Sequence, residues 1–164
     1  MDRQSQYDKG GHFMVAPNDR HDACAAIDSR EPLLRDLNIL LADDDQTFVH
    51  LAEIALVDIK AQLDTAGDGA SAFTRLLEGD YDLAILDLSM PLTDGFRLLS
   101  YIRHTPRLRH LPVVVVTSRD DTHAAQEVSN LGADLMLVKP VDWVEFPHRI
   151  CDAVRARRQL TMAA

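Results

Sequence analysis

Four short, almost wholly apolar runs, separated by segments of helical period, constrain the fold more than any other feature of this sequence. Continuous apolar runs of strand length are typical of strands buried on both faces of a parallel sheet. A weaker fifth strand is predicted before a Gly-Asp-Gly turn signal. The predicted strands are Asn38–Ala42, Ala61–Thr65, Leu83–Leu86, Val113–Val116 and Leu135–Val138.

Helices are predicted between these strands, because apolar residues recur there at the spacing of one helix face. The candidates are Thr47–Val57, Ala70–Leu77, Gly95–His104, Thr122–Leu131 and Asp142–Arg158. Strands alternating with helices predict an α/β fold, a doubly wound five-stranded parallel sheet with right-handed crossovers. The flavodoxin-like strand order 2-1-3-4-5 is adopted from common folds with this number of elements.

Length and composition predict one domain with a hydrophobic core. The chain has 164 residues, of which 46% are hydrophobic and 26% charged, a profile typical of globular proteins. Residues 1–36 contain glycines and prolines without a sustained period and are expected to form a flexible N-terminal extension. The remaining boundaries are predicted as a domain over 37–160 and a tail over 161–164.

Charge and cysteine content exclude several classes of function. A net charge of −9 opposes direct binding of nucleic acid. Cys24 and Cys151 are far apart in the chain, which does not support a disulfide framework or a zinc site. The apolar runs are too short to span a membrane, and the N-terminus lacks a signal pattern, so a cytoplasmic protein without membrane contact is expected.

Polar side chains that carry chemistry follow four of the predicted strands. Because the carboxyl ends of parallel strands meet at one sheet edge, these residues are expected to converge. They are Asp43, Asp44 and Asp45 after the first strand, Asp87 after the third, Thr117 and Ser118 after the fourth, and Lys139 and Pro140 after the fifth.

Asp43, Asp44 and Asp87 would repel one another unless a cation lies between them. Carboxylates without a nearby His or Cys favour Mg²⁺ over Zn²⁺. Asp87 could then act as a nucleophile that accepts a phosphoryl group. Lys139 and the Thr117 hydroxyl would contact the phosphoryl oxygens, whose negative charge requires such partners.

The strings ILLADDDQ, LAILDLSMPLTDG, LPVVVVTS and GADLMLVKP resemble, in the same order, the four signature regions of bacterial two-component response regulator receiver domains. The resemblance covers residues 37–158 and implies a phosphorelay receiver that takes a phosphoryl group on Asp87. The donor implied is a histidine kinase or phosphotransfer protein. Phosphorylation would change the surface offered to a downstream protein target or to a second copy in a homodimer.

The resemblance also implies roles for single residues. Asp43 and Asp44 would hold Mg²⁺, Asp44 more directly, and Ser89 would offer its backbone carbonyl to the metal. Thr117 would be the switch hydroxyl, and Lys139, followed by a cis proline bond, would pair with the phosphate. Such a domain is not an enzyme in the usual sense, since it catalyses only its own phosphorylation and dephosphorylation.

The sequence departs from the family pattern at Met136, where receivers commonly carry Tyr or Phe, so the usual aromatic switch is absent. Pro147 conflicts with a last helix that begins at Asp142, because it lacks the N–H needed by the carbonyl of Trp143. The helix is therefore expected either to start late or to be kinked.

Other residues are given ordinary structural roles. Asp45 is predicted to cap the first helix, and Asp94 with Gly95 to form a turn. The last-helix arginines are assigned to a favourable interaction with the helix dipole. These arginines are Arg149, Arg155, Arg157 and Arg158.

Two alternatives remain. Asp43 to Thr47 matches the Asp-x-Asp-x-Thr motif of haloacid-dehalogenase-like phosphatases, with Asp43 as nucleophile and Asp45 as acid and base. That hypothesis supplies no later acidic pair for the metal and leaves Asp87 unused. The second alternative is a receiver-like scaffold that binds partners without being phosphorylated.

Overall fold

The computed structural model describes residues 34–118 and 122–163, with the backbone alone at Thr122. Most of the expected flexible extension, residues 1–33, lies outside this part of the chain. The strands are β1 (Asn38–Ala42), β2 (Gln62–Ala66), β3 (Leu83–Leu86), β4 (Val113–Thr117) and β5 (Leu135–Val138). The helices are α1 (Gln46–Ala55), α2 (Gly69–Glu78), α3 (Gly95–His104), α4 (Thr122–Asn130) and α5 (Phe146–Met162), with a short 3₁₀-helix at Val57–Ile59 after α1.

The five strands form one parallel sheet in the order β2-β1-β3-β4-β5. This confirms the predicted doubly wound α/β fold and its strand order. In register, Ala42 at the end of β1 pairs with Leu86 at the end of β3, and Thr117 at the end of β4 pairs with Val138. The residues that follow β1, β3, β4 and β5 therefore meet at one edge.

The hydrophobic core lies along the three central strands. Every residue of β3 and β4 is buried, and in β1 only Asn38 is exposed. The LMLV run of β5 behaves differently, because β5 is an edge strand whose first three residues are half-buried and whose last, Val138, is 43% exposed. An apolar run therefore predicted the strand correctly there, but not its burial on both faces.

Aspartate side chains cap three of the helices at their amino ends. Asp45 accepts a hydrogen bond from the Thr47 amide at 2.9 Å, as predicted for a cap of α1. Asp68 caps α2, and Asp94 caps α3 through the Arg97 amide at 2.9 Å. Asp94 is thus a helix cap within the turn expected there, and it sets where α3 begins.

The last helix begins late. Asp142 lies outside α5, and its carboxylate accepts hydrogen bonds from the amides of Val144 at 2.9 Å and Glu145 at 3.3 Å. Pro147 lies in the first turn of α5, where backbone N–H groups have no carbonyl partner within the helix. Proline, which lacks the N–H, is therefore tolerated there. The late start expected from Pro147 is confirmed, because α5 begins at Phe146, four residues after the Asp142 that opened the candidate range. The helix continues to Met162, past the predicted end at Arg158.

Candidate functional site

The carboxyl edge of the sheet brings together the acidic residues predicted from the sequence. One carboxylate oxygen from each of Asp43, Asp44 and Asp87 lies within 4.8 Å of the others. Asp43 is 1% exposed and Asp87 6% exposed, whereas Asp44 lies at the surface. The arrangement results from the parallel sheet, since the amide of Asp87 continues the ladder by donating to the Ala42 carbonyl at 2.8 Å.

Lys139 reaches this acidic group from the end of β5. Its ammonium donates to Asp43 Oδ2 at 2.6 Å and lies 3.8 Å from Asp87 Oδ2. The Asp43 carboxylate also accepts a hydrogen bond from the Asp45 amide at 2.9 Å. Burial raises the pKa of the Asp43 carboxyl, while these two hydrogen bonds act to lower it.

The Asp87 carboxylate has few protein partners for its burial. Its Oδ1 atom is buried and has no hydrogen-bond partner among the described residues. Its Oδ2 atom lies 3.8 Å from the Lys139 ammonium, a distance that allows an ion pair but is too long for a hydrogen bond. A buried carboxylate oxygen without a donor is costly, and such an atom in a folded protein requires an explanation.

The backbone around Asp87 is held by a close approach of Gly95. A Cβ atom at this position would lie 2.2 Å from the Asp87 carbonyl oxygen and 2.8 Å from the Leu88 Cα. The Gly95 amide donates to the Leu88 carbonyl at 3.1 Å. The first residue of α3 therefore has to be glycine for the helix to pack against the loop that carries Asp87.

Thr117 and Lys139 are linked through the backbone at the ends of β4 and β5. The Lys139 amide donates to the Thr117 carbonyl at 2.8 Å, and the Thr117 side chain is fully buried. The peptide bond between Lys139 and Pro140 is cis, in agreement with the resemblance. Thr117 thus ends the strand next to β3, at the same edge of the sheet as the acidic group.

The donor set fits a hard divalent cation. Carboxylate oxygens are the ligands that Mg²⁺ prefers, and it keeps several waters when one or two protein carboxylates hold it. Asp44 is exposed, so such a site would be open to solvent on one side. Asp87 Oδ1 has no partner within residues 34–118 and 122–163, and this observation favours a cation, because a metal–oxygen bond would satisfy the atom.

Ser89 and Met136 are two further positions that the sequence singled out. Ser89 is exposed and lies in the loop between β3 and α3, two residues after Asp87. Met136 is half-buried and packs against the core cluster that includes Val113 and Val128. The position of the missing aromatic residue is therefore filled by a flexible core side chain.

Sequence reasoning missed the contact between the Lys139 ammonium and the ring of Phe48. The Lys139 ammonium lies 4.3 Å from the centroid of the Phe48 ring, on α1. Phe48 in turn contacts Trp143 and Phe146, which follow Lys139 in the chain. The only signal in the sequence was a Phe one helical turn beyond the acidic run, which is equally typical of a core position.

The arginines of the last helix have a different role from the one expected. α5 carries no basic residue in its last turn, so the helix dipole does not account for them. Arg158 instead donates to Asp82 at 2.8 Å, and Arg157 donates to the Arg109 carbonyl at 2.7 Å. These contacts join α5 to the loops that precede β3 and β4.

The structure gives no support to the phosphatase alternative. That hypothesis requires Asp45 as an acid and base, whereas the Asp45 carboxylate is exposed and caps α1 through the Thr47 amide. Asp87, which it leaves without a function, is the most deeply placed carboxylate of the site after Asp43.

Fold and site together define an α/β signalling module of the receiver type. The family model described as "Response regulator receiver domain" matches residues 39–151. The chain is 31% identical over 121 residues to the response regulator ArlR of Staphylococcus aureus, an alignment that covers 74% of this chain and 54% of that protein. The chain belongs to the response regulator receiver domain family, and it spans about half the length of the curated relatives it matches.

Solved structures agree with this assignment. The receiver domain of Francisella response regulator 1452 superposes with a TM-score of 0.68 at 26% identity, covering 73% of this chain and 98% of that one. The signal receiver domain of a signal transduction histidine kinase from Syntrophus aciditrophicus gives the same TM-score and identity, covering 73% and 91%. Among the described residues, no helix has the length and apolar character needed to cross a bilayer.

Proposed function

We propose that this chain is a phosphorelay receiver in which the Asp87 carboxylate takes a phosphoryl group. The single observation that carries the proposal is the buried Asp87 Oδ1, which has no hydrogen-bond partner among the described residues and lies beside two other carboxylates and an ammonium group. A carboxylate held this way is under-coordinated, and nucleophilic carboxylates form aspartyl phosphates. Family membership supports the same function.

In the transfer step, an Asp87 carboxylate oxygen forms a bond to phosphorus while the bond from phosphorus to the donor's leaving atom breaks. The leaving group keeps the electron pair. Little covalent chemistry is asked of the protein, so alignment and charge neutralisation govern the rate. Lys139, whose ammonium lies 3.8 Å from Asp87 Oδ2, would donate to a phosphoryl oxygen. The Thr117 hydroxyl, at the end of the neighbouring strand β4, would contact another.

Asp43, Asp44 and Asp87, with the Ser89 carbonyl, are the groups that we propose to hold Mg²⁺. The cation would neutralise the negative charge that accumulates when a phosphoryl group meets three carboxylates. The Asp43 carboxylate already accepts a hydrogen bond from Lys139 at 2.6 Å. Asp44, which is exposed, would hold the cation from the solvent side. A histidine kinase or phosphotransfer protein is the proposed donor, and a downstream protein the proposed target.

Intact-mass spectrometry tests this function. Incubation with a small acyl phosphate and Mg²⁺ is expected to add one phosphoryl group to the wild-type chain, and none to Asp87→Asn. Lys139→Ala is expected to slow incorporation by about 10²-fold, the usual effect of removing one donor to a developing oxyanion. Addition of a chelator should abolish incorporation.

A matched control separates this proposal from the phosphatase alternative. Asp45→Asn keeps a helix cap and leaves the acidic group unchanged, so it should incorporate phosphate at the wild-type rate. Asp43→Asn should still be phosphorylated, though more slowly. Phosphate retained in Asp87→Asn but lost in Asp43→Asn would contradict the proposal and favour Asp43 as the nucleophile.

A further inference from the structure

We infer that Phe48 is a positioning residue for Lys139, and that its ring face holds the lysine ammonium in place for the phosphoryl group. This inference rests on the proposed function of Asp87 and Lys139. It assigns a role to a residue outside the acidic group, on α1, which would act through Lys139.

The ammonium occupies a defined position between three groups. It donates to Asp43 Oδ2 at 2.6 Å, lies 4.3 Å from the Phe48 ring centroid and is 3.8 Å from Asp87 Oδ2. The Lys139 side chain is 18% exposed, so water covers only a small part of it. An ammonium has three donors, and the ring covers one side of the group without taking part in a directed hydrogen bond.

This partner differs from a second carboxylate in a way that matters for the reaction. A carboxylate below the ammonium would compete with the phosphoryl group for its protons. An aromatic face attracts the cation through the ring quadrupole and leaves the remaining donors free to turn toward Asp87. The ring also excludes water from that side, which strengthens the interaction of the ammonium with an incoming anion.

The ring itself is held by two neighbours. Phe48 is 5% exposed and its centroid lies 5.1 Å from that of Trp143 and 6.2 Å from that of Phe146, the latter in an edge-on arrangement at 88°. Trp143 and Phe146 also contact each other, at 5.4 Å. Because Trp143 and Phe146 follow Lys139 in the chain, the Phe48 ring and the lysine belong to one packed unit between α1 and the start of α5.

A cation–π contact can be weakened without changing side-chain shape, which gives a direct test. Fluorine atoms on a phenylalanine ring withdraw electron density from its face, so 4-fluoro- and 3,4,5-trifluorophenylalanine at position 48 should weaken the contact in steps. We expect Asp87 phosphorylation by a small acyl phosphate with Mg²⁺ to slow stepwise, by about threefold to tenfold with three fluorines. Melting temperatures should stay near that of the wild type.

The same substitutions at Phe146 provide the matched control. Phe146 is 1% exposed and packs edge-on against Phe48 in the same cluster, so fluorination there has a similar effect on packing. Phosphorylation rates of the Phe146 series should remain at the wild-type value. Equal rates across the Phe48 series, or the same decline in both series, would overturn the inference.

A spectroscopic measurement follows the contact independently of the reaction. Protons above the face of an aromatic ring are shifted upfield by the ring current. The protons of the Lys139 side chain should therefore resonate upfield, and Phe48→Leu should remove that shift. Absence of an upfield shift in the wild type would overturn the inference even if phosphorylation proceeds. Failure of the wild type to incorporate phosphate would instead overturn the proposed function, and this inference with it.

Discussion

The two ends of the sheet both carry buried charges, and they treat those charges in opposite ways. At the amino end, Arg103 and Asp134 form an ion pair at 3.0 Å whose side chains are 13% and 6% exposed. Asp134 also accepts from the Val113 amide at 2.8 Å and lies 3.4 Å from Arg157. Arg103 donates in addition to the carbonyls of Gly132 and Leu111, each at 2.8 Å.

The carboxyl end assembles charges without completing their hydrogen bonds. Three carboxylates lie there with one ammonium, and the buried Oδ1 of Asp87 has no partner in the described part of the chain. Arg157 Nε at the amino end is likewise without a partner in the portion that the structure describes. Nη2 of that guanidinium donates to the Arg109 carbonyl, however, and Nη1 lies 3.4 Å from the Asp134 carboxylate. The difference indicates that one end is complete as a structure, while the other has capacity left for an ion and a phosphoryl group.

The largest effect is expected from removing the acidic partner at the amino end. Asp134→Asn would leave the guanidinium groups of Arg103 and Arg157, which are 13% and 18% exposed, without the carboxylate between them. Burial, followed by the charge of Arg157, already lowers the pKa of Arg103 to about 10. We expect the free energy of unfolding to fall by about 3–5 kcal/mol, measured by urea denaturation.

The exposed pair between Arg107 and Asp80 is the control for this prediction. Its side chains are 50% and 98% exposed, so Asp80→Asn should change stability by less than about 1 kcal/mol. A loss for Asp134→Asn that is no larger than the loss for Asp80→Asn would show that the amino end is not the completed structure described above.

At the carboxyl end, a divalent cation is expected to stabilise the fold. Mg²⁺ at about 100 times its Kd should raise the free energy of unfolding by about 2.7 kcal/mol. Asp87→Asn should lose most of this increase. It should lose no stability in the presence of a chelator, because it removes a carboxylate whose Oδ1 lacks a partner among the residues that the structure describes. Thermal melts with Mg²⁺ or with chelator measure both effects.

Asp82→Asn is the control at the opposite end of the sheet. Asp82 accepts hydrogen bonds from Arg158 at 2.8 Å and from the Asn38 amide at 3.0 Å. This variant should be less stable in either buffer, and yet show the full increase with Mg²⁺. The comparison fails if Asp82→Asn loses the increase or if Asp87→Asn keeps it.

How far the sequence anticipates the molecule differs between these two ends. The acidic group could be predicted because its members follow apolar runs, and parallel strands bring such positions to one edge. The network at Arg103 could not, since Asp134 and Arg157 come from separate elements and nothing in their spacing marks them as partners. Phe48 was missed for a related reason: its distance from Lys139 depends on how α1 packs, which periodicity does not specify.

A smaller effect is expected from filling the space that Gly95 leaves at the carboxyl end. A Cβ there would overlap the Asp87 carbonyl, so Gly95→Ala has to shift the loop that carries Asp87. We expect a loss of about 1–3 kcal/mol, typical of overpacking, together with weaker stabilisation by Mg²⁺. Urea denaturation with and without Mg²⁺ measures the two terms.

Gly67→Ala is the matched control, because a Cβ at Gly67 would meet no atom within 4 Å. It should leave stability unchanged or raise it slightly, and Mg²⁺ should act on it as on the wild type. An equal response of the two alanine variants to Mg²⁺ would mean that Gly95 does not help to place Asp87.

The smallest effect concerns Asp64 on β2. Its carboxylate is hydrogen-bonded, like Asp134 at the amino end of the sheet, but it is more exposed than Asp134 or Asp87. Its carboxylate accepts from the Tyr81 hydroxyl and from Arg75, each at 2.6 Å, and its side chain is 41% exposed. These bonds, that of Tyr81 foremost, lower the pKa of Asp64 below its usual 3.8. A lowered carboxyl pKa in the folded state gives stability that is complete above the unfolded value and is lost as pH falls through the folded one.

Because solvent screens this exposed group, the contribution should be below about 1 kcal/mol. Wild type minus Asp64→Asn, measured by urea denaturation from about pH 6 to pH 3, should therefore show a small difference in unfolding free energy that vanishes at the acid end. Tyr81→Phe should reduce the same difference more than Arg75→Gln does, since the Tyr81 bond is the larger cause of the shift. A difference that grows toward low pH would have the wrong sign, and one as large as that of Asp134→Asn would show that burial does not distinguish these acidic residues.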